Sequence, residues 1–140
     1  AVGRWQRTGN TFVAGGPNDY ASAFGALAKE RIDALSVQDS PAFISHAREI
    51  AELAVKHRLP SAAGAAFAEA GGLIGYGPNF EEIFRRAAYF VDRIFKGAKP
   101  ADLPVESPTK FELVINMKTA KALGIKIPQT VLVRATKLIE

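Results

Sequence analysis

The 140-residue sequence has no cysteine, which excludes a disulfide framework, a thiolate nucleophile and any zinc site built on thiolates. That absence fits an exported protein. No apolar run approaches the roughly 18 residues that a membrane span needs, and the opening AVGRWQRTGN lacks the apolar centre of a signal peptide. Because the chain opens on Ala, the expectation is that an initiator or leader has been removed, or that the chain is a fragment. The two histidines, His46 and His57, do not fall at a zinc-ligand spacing and read as surface helix residues. Twelve glycines are present, yet neither a GxxxxGK(S/T) nor a GxGxxG phosphate loop occurs. Charge of one sign is in only slight excess, 18 Lys+Arg against 14 Asp+Glu for a net +4. The cations are spread along the chain, mostly near helix ends or beside acids, as on a solvated face rather than a phosphate-binding one. A nucleic-acid partner is therefore not expected.

What is present is an ordinary apolar content of 48%, enough for one α/β domain over residues 1–140. After a short extended stretch at residues 11–14, the GGPN turn leads into a helix over residues 19–32. Its apolar stripe is Tyr20, Phe24, Leu27 and Ala28 and continues to Leu35. LSVQ at 35–38 alternates as a short strand does. Ser40 then caps a helix that runs to Lys56, with Pro41 at its first position; Phe43, Ala47, Ile50, Ala51 and Ala54 form its buried face. SAAGAAFAEAGG, rich in small residues, reads as a loop with a turn of helix. GLIGYG is a strand entering a sharp turn. Asn79 and Glu82 make a capping-box-like pair for the strongest helix in the chain, whose one-sided stripe is Phe80, Phe84, Ala87, Ala88, Val91 and Phe95, and Gly97 stops it. KPADLPVESPTK reads as extended surface chain, FELVIN as a strand, and residues 118–123 as a short helix capped by Asn116 and ended by Gly124. A last amphipathic segment follows Pro128.

Strands and helices alternating over short links predict a three-layer fold, a largely parallel sheet flanked by helices. In such sheets ligands sit beyond the carboxyl ends of the strands, which directs attention to the loops at 38–41, 61–67 and 76–79. Asp39 is placed to receive an amino group, or to make a turn hydrogen bond. The hydroxyl of Ser40 and the amides behind it suit a carboxylate, although an ordinary helix cap uses the same atoms and is preferred. Tyr76, between two glycines, stacks on a solute or packs at a hinge. Asn79 reads as a cap before it reads as a ligand contact. Glu81 and Glu82 are adjacent on a helix, point in different directions and suit the positive end of the helix dipole. They do not make a catalytic pair, and the chain is read as a binding protein without catalytic residues, metal or cofactor.

IAELAVKHRLP, EAGGLIGYGPN and FRRAAYFVDRIFKGAKPADLPVESPTKFELVINMKTAKALGIKIP resemble the last third of the periplasmic substrate-binding proteins of an uncharacterised ABC-type transport system. The resemblance covers about residues 24–140. It implies a type I periplasmic-binding fold, two α/β lobes joined by hinge crossings that close over a solute. It also implies a location in the periplasm, an amino acid or related small solute as ligand, and an ABC permease as partner. The segments up to about Gly64 would belong to the second lobe, the strand at 73–76 and the helix at 80–95 would cross back toward the first, and LPVE to VIN would return. The first lobe is absent from this chain. Relatives carry an aromatic residue just before the glycine of SAAG, where Ala63 stands here, so Ala63 marks a pocket wall that has lost its stacking surface. The resemblance thus makes Asp39, Ser40, Ala63, Tyr76 and Asn79 the candidate ligand-binding set. A ligand-sensing module of the same fold is the alternative, as is a dimerisation unit, since an uncovered 84–95 stripe is relieved by a homodimer.

Overall fold

Apolar residues that recur every three or four positions must meet a partner surface, and most of this chain's stripes find one. In chain order the elements of the computed structural model, which describes residues 16–30 and 32–140, are α1 (Pro17–Lys29), β1 (Leu35–Ser36), α2 (Pro41–Ser45), α3 (Ala47–Lys56), β2 (Ser61–Ala63), α4 (Ala65–Glu69), β3 (Ile74–Pro78) and α5 (Phe80–Phe95). A single 3-10 turn (Pro100–Asp102) then precedes β4 (Phe111–Asn116), α6 (Met117–Leu123), α7 (Gln129–Leu132) and β5 (Lys137–Ile139). The extended stretch expected at 11–14 lies outside the described residues. No described helix is long and apolar enough to cross a membrane.

The five strands lie in sequence order, β1-β2-β3-β4-β5. β1, β2 and β3 are mutually parallel, β4 runs antiparallel to β3, and β5 is parallel to β4. The reversal decides where the helices go. Right-handed crossovers that step across a sheet in one direction put their helices on one face while the strands point one way, and on the other face once the strands point back. Two core clusters result. Tyr20, Phe24 and Leu27 of α1 pack with Ala47, Ile50, Ala51 and Ala54 of α3, Leu59 and Phe67, over the face that includes Leu35 and Ala63. Leu73, Ile115, Ala120 and Ile127 pack with Ile74, Leu113, Val131 and Leu132 on the other face. The register keeps the two sets apart, since Ile74 pairs with Ile115 while the next residue, Gly75, pairs with Ala63 and Val114.

Several local expectations are altered by side chains competing for backbone. The helix expected to run unbroken from Ser40 to Lys56 breaks at His46 (φ −115°, ψ 18°). There Ser45 Oγ donates to the Pro41 carbonyl at 2.7 Å, and the His46 ring lies 2.9 Å from the Ala42 carbonyl, two bonds that divert the chain from the helical ladder. His46 is half-buried, its ring edge-on to Tyr20 at 5.8 Å. SAA, read as loop, is β2, because its amides and carbonyls are needed between β1 and β3: Leu35 N–H donates to the Pro60 carbonyl and Val37 N–H to that of Ala62. The segment after Pro128 is one helical turn followed by β5, which pairs with Val114–Asn116 and is set in register by Thr136, whose Oγ bonds both the amide and the carbonyl of Leu113.

Asn116 ties the layers together. It is buried, accepts from Thr119 N–H at 3.1 Å to cap α6, and donates to the Ala68 carbonyl of α4 at 3.0 Å. α5 behaves differently. It is capped as expected by Asn79, which accepts from Glu82 N–H at 2.8 Å, but none of its 16 residues is buried. Phe84 is 70% and Phe95 86% exposed. Beyond Phe80 at its start, the large apolar residues of its stripe, Phe84, Val91 and Phe95, remain exposed.

Glycine substitutions separate the free positions from the crowded ones. A methyl at Gly25, inside α1, would meet no atom within 4 Å, whereas one at Gly75 would lie 2.7 Å from both the Ala65 Cα and the Gly64 carbonyl oxygen. Gly25→Ala is expected to stabilise the fold by about 0.5–1 kcal/mol. Gly75→Ala is expected to destabilise it by about 1–3 kcal/mol, because backbone rather than a flexible side chain must give way. Urea unfolding midpoints of the two variants check both signs.

Candidate functional site

Parallel pairing of β1 with β2 brings the loops after them side by side at the carboxyl edge of the sheet. After β1 the chain runs through Val37, Gln38 and Asp39 to Ser40, whose Oγ accepts from Phe43 N–H at 3.3 Å and caps α2. After β2 it turns at Gly64 into α4. The two loops are joined by one hydrogen bond, Gly64 N–H donating to Asp39 Oδ1 at 3.0 Å. Oδ2 of the same carboxylate remains available. Beside it lies a small pocket lined by Val37, Gln38, Asp39, Phe43, Ile44, Ala47, the Ala63–Phe67 segment and Phe80. Among the described residues Asp39 is its one charged group, and most of the remaining wall is apolar.

A larger hollow, of about 680 Å³, runs between α5 and residues 106–110. Its charged side chains are already engaged with one another: Glu82 with Arg85 and Lys110, and Arg86 with Glu106, whose Oε2 accepts from Arg86 Nε at 2.6 Å. That hydrogen bond holds the Glu106 carboxyl below the usual glutamate range and pushes Arg86 up. The guanidinium also lies over the Tyr89 ring, 4.1 Å from its centroid. A groove whose charges are mutually satisfied has little with which to orient a small polar solute, and the Asp39 pocket is the better candidate.

Of the residues expected at a site, Asp39 and Ala63 are brought together here. Ser40 stands one residue beyond Asp39 and is used as a helix cap. Tyr76 is carried elsewhere: it alternates with Gly75 and Gly77, which face Gly64 and Ala65, and its exposed ring stacks on Phe111 at 5.8 Å and 17° on the opposite side of the strand pair. Asn79 is spent on structure, capping α5 and donating to Glu112 Oε1 at 2.6 Å. Two rings that the sequence pattern assigned to helix stripes, Phe43 and Phe80, line the pocket instead. The cap at Asn79 was the signal for Phe80, because it fixes Phe80 as the first residue of α5 beside the carboxyl end of β3.

Gly64 has no room for a side chain. A methyl there would lie 2.6 Å from Asp39 Oδ2 and 3.0 Å from Oδ1. Gly64→Ala is expected to displace the Asp39 carboxylate, cost about 1–2 kcal/mol in urea unfolding and speed hydrogen exchange of the residue 64 amide. In an Asp39→Ala background the same substitution should cost little, since the crowding group is gone.

No curated protein matches the sequence. Residues 9–139 match the family model described as ABC transporter substrate binding protein. Among solved structures, the chain is similar to a conserved domain protein from Vibrio cholerae (30% identity, TM-score 0.78, covering 86% of this chain and 41% of that one). It is also similar to an ABC domain from Streptococcus pneumoniae in complex with L-Trp (29% identity, TM-score 0.83, 93% and 44%). A ligand-free, open substrate-binding protein with adhesive properties from Clostridium difficile shares the fold at 23% identity (TM-score 0.63, 87% and 41%). The chain therefore spans less than half the length of the solved proteins it matches. With a mostly parallel five-stranded sheet and a family match over nearly all its length, the chain belongs to the ABC transporter substrate-binding protein family.

Proposed function

We propose that this chain forms the carboxy-terminal lobe of an exported, periplasmic solute-binding protein that delivers an amino acid or related small solute to the permease of an ABC importer. The observation that carries the reading is the Asp39 pocket: one carboxylate with a free oxygen, set in an apolar wall at the carboxyl edge of the sheet. A solute ammonium is the natural partner for Asp39 Oδ2. The L-Trp complex of the Streptococcus pneumoniae relative supports an amino-acid cargo.

The pocket offers only about 50 Å³, against roughly 300–1,000 Å³ for sites that enclose a small molecule. It is one wall of a site. The length of the relatives and the uncovered stripe of α5 support a second lobe that supplies the facing wall and covers α5. Calorimetric titration of the full-length gene product with a panel of amino acids is the test. Binding is expected, and Asp39→Asn should weaken it by roughly 10- to 100-fold, the worth of a charge-assisted hydrogen bond. Failure of every amine-bearing solute to bind the full-length protein would overturn the reading.

The exposed rings of α5 favour a second reading for this chain by itself, a homodimer that buries the Phe84 to Phe95 stripe, serving a sensing or dimerisation module rather than transport. Sedimentation of the 140-residue chain at micromolar concentration is then expected to show a dimer. A monomer throughout would sink this reading and leave the two-lobed one standing.

A further inference from the structure

The even spread of cations along the sequence conceals an uneven spread of acids. Residues 113–139 hold Lys118, Lys121, Lys126, Arg134 and Lys137 but no aspartate or glutamate. The fold keeps these residues together, because they make up most of β4, α6, α7 and β5, the part of the chain that builds most of the second apolar cluster. Ala120 and Ile127 are buried in that cluster, and Leu123, Val131 and Leu132 pack against it. The side chains between them point the other way, and Lys118, Lys121, Lys126, Val133 and Arg134 are all exposed. Lys118 and Lys121 stand three positions apart on α6 and so share its outer side.

These charges are used differently from those on α5, where Arg85, Arg86 and Lys96 are each paired with a carboxylate. In residues 113–139 Lys137 pairs with Glu69 of α4 at 2.6 Å. Among the described residues Lys118, Lys121, Lys126 and Arg134 make no ion pair. Glu112, the acid just before this stretch on β4, accepts from Asn79. Four cations without a neutralising carboxylate leave a positive field over the outer side of the α6–α7 layer. Next to Arg134, Val133 is 71% exposed, an aliphatic tip that has joined no core.

We infer that the outer side of α6 and α7 is a docking surface for an anionic lipid bilayer. Charge complementarity selects an anionic partner, and the make-up of the patch selects lipid over protein. Protein interfaces are depleted of lysine and fix their register with complementary charges, whereas three of these four cations are lysines and no acid is among them. Flexible ammonium groups beside an exposed aliphatic tip suit headgroups that are mobile and carry one sign of charge. The patch lies on the face of the sheet opposite α1 and α3, and its role does not depend on what the Asp39 pocket binds. A solute-binding protein held in this way searches for its permease along the membrane surface rather than through bulk solution.

Co-sedimentation of the full-length gene product with vesicles is the test, comparing phosphatidylcholine alone with phosphatidylcholine containing about one-third phosphatidylglycerol. Binding is expected to the anionic vesicles only, and is expected to disappear at about 0.5 M salt. Lys118→Gln, Lys121→Gln, Lys126→Gln and Arg134→Gln should each weaken it about fivefold, and together by about 100-fold or more. Val133→Ser should weaken it about threefold through lost apolar contact. Arg48→Gln combined with Lys56→Gln removes two exposed charges from α3 on the other face and should change binding by less than about twofold. Every substituted side chain is exposed, so thermal midpoints should match the wild type and separate a lost contact from a lost fold. Equal binding to both kinds of vesicle, no binding to either, or as large a loss in the α3 double variant as in Lys118→Gln with Lys121→Gln would overturn the inference. Capture only by vesicles that carry the permease, with the same dependence on the four cations, would overturn the lipid assignment and make the permease the partner of this patch.

Discussion

The closeness of β3 to the β2–α4 turn governs much of what this chain can do. At Gly75 the strand lies so near Gly64 and Ala65 that a single methyl would sit 2.7 Å from their backbone. At Gly64 the turn lies so near Asp39 that a methyl would sit 2.6 Å from its carboxylate. Strand, turn and carboxylate are thus stacked with no side chain between them, which only glycine permits. The contact does three things at once. It seats α4 over the sheet, it directs the Gly64 amide at Asp39, and it brings the carboxyl end of β3, with Phe80 just beyond, to the edge of the pocket.

The reversal between β3 and β4 has an equally wide reach. It moves α6 and α7 to the face opposite α1 and α3, so that the sheet is covered on both sides and two apolar clusters form. Asn116 links the two coverings, capping α6 while it bonds the carbonyl of Ala68 across the edge of β4. The chain spends the residues between β3 and β4 on α5 and the extended segment after it, and this excursion leaves the body of the domain. α5 is held at its start by Asn79 and along its length by surface ion pairs such as Arg85 with Glu81 and Lys96 with Asp92. Pairs of that exposure contribute little individually. The stability of α5 must draw on apolar surface that stays exposed among the described residues.

These two features explain why the candidate pocket is shallow. The chain supplies a carboxylate held by the Gly64 amide, a floor of small residues and aromatic edges, placed by contacts within the chain. Closure over a solute needs apolar and polar groups facing them, and the exposed α5 stripe shows which side of the chain has surface left to offer.

Much of this was legible in the residue order. The caps at Ser40, Asn79 and Asn116, the stops at Gly97 and Gly124, the stripes of α1, α3 and α5, and Asp39 at a carboxyl-edge loop are local properties, set by hydrogen-bond chemistry and side-chain periodicity within a few positions. The break at His46 was hidden, because it arises from side chains taking carbonyls in a segment whose apolar spacing stays helical. β2 and β5 were hidden too, since three-residue strands carry almost no alternation and exist because a neighbouring strand needs their backbone. The same limit applies to the pocket. Whether Tyr76 faces Asp39 or Phe111, and whether Phe80 serves a stripe or a rim, depends on which side of β3 lies against Gly64. That choice is made by strands meeting far apart in sequence, so the residue order determined the chemistry available and the tertiary contacts decided which of it converges.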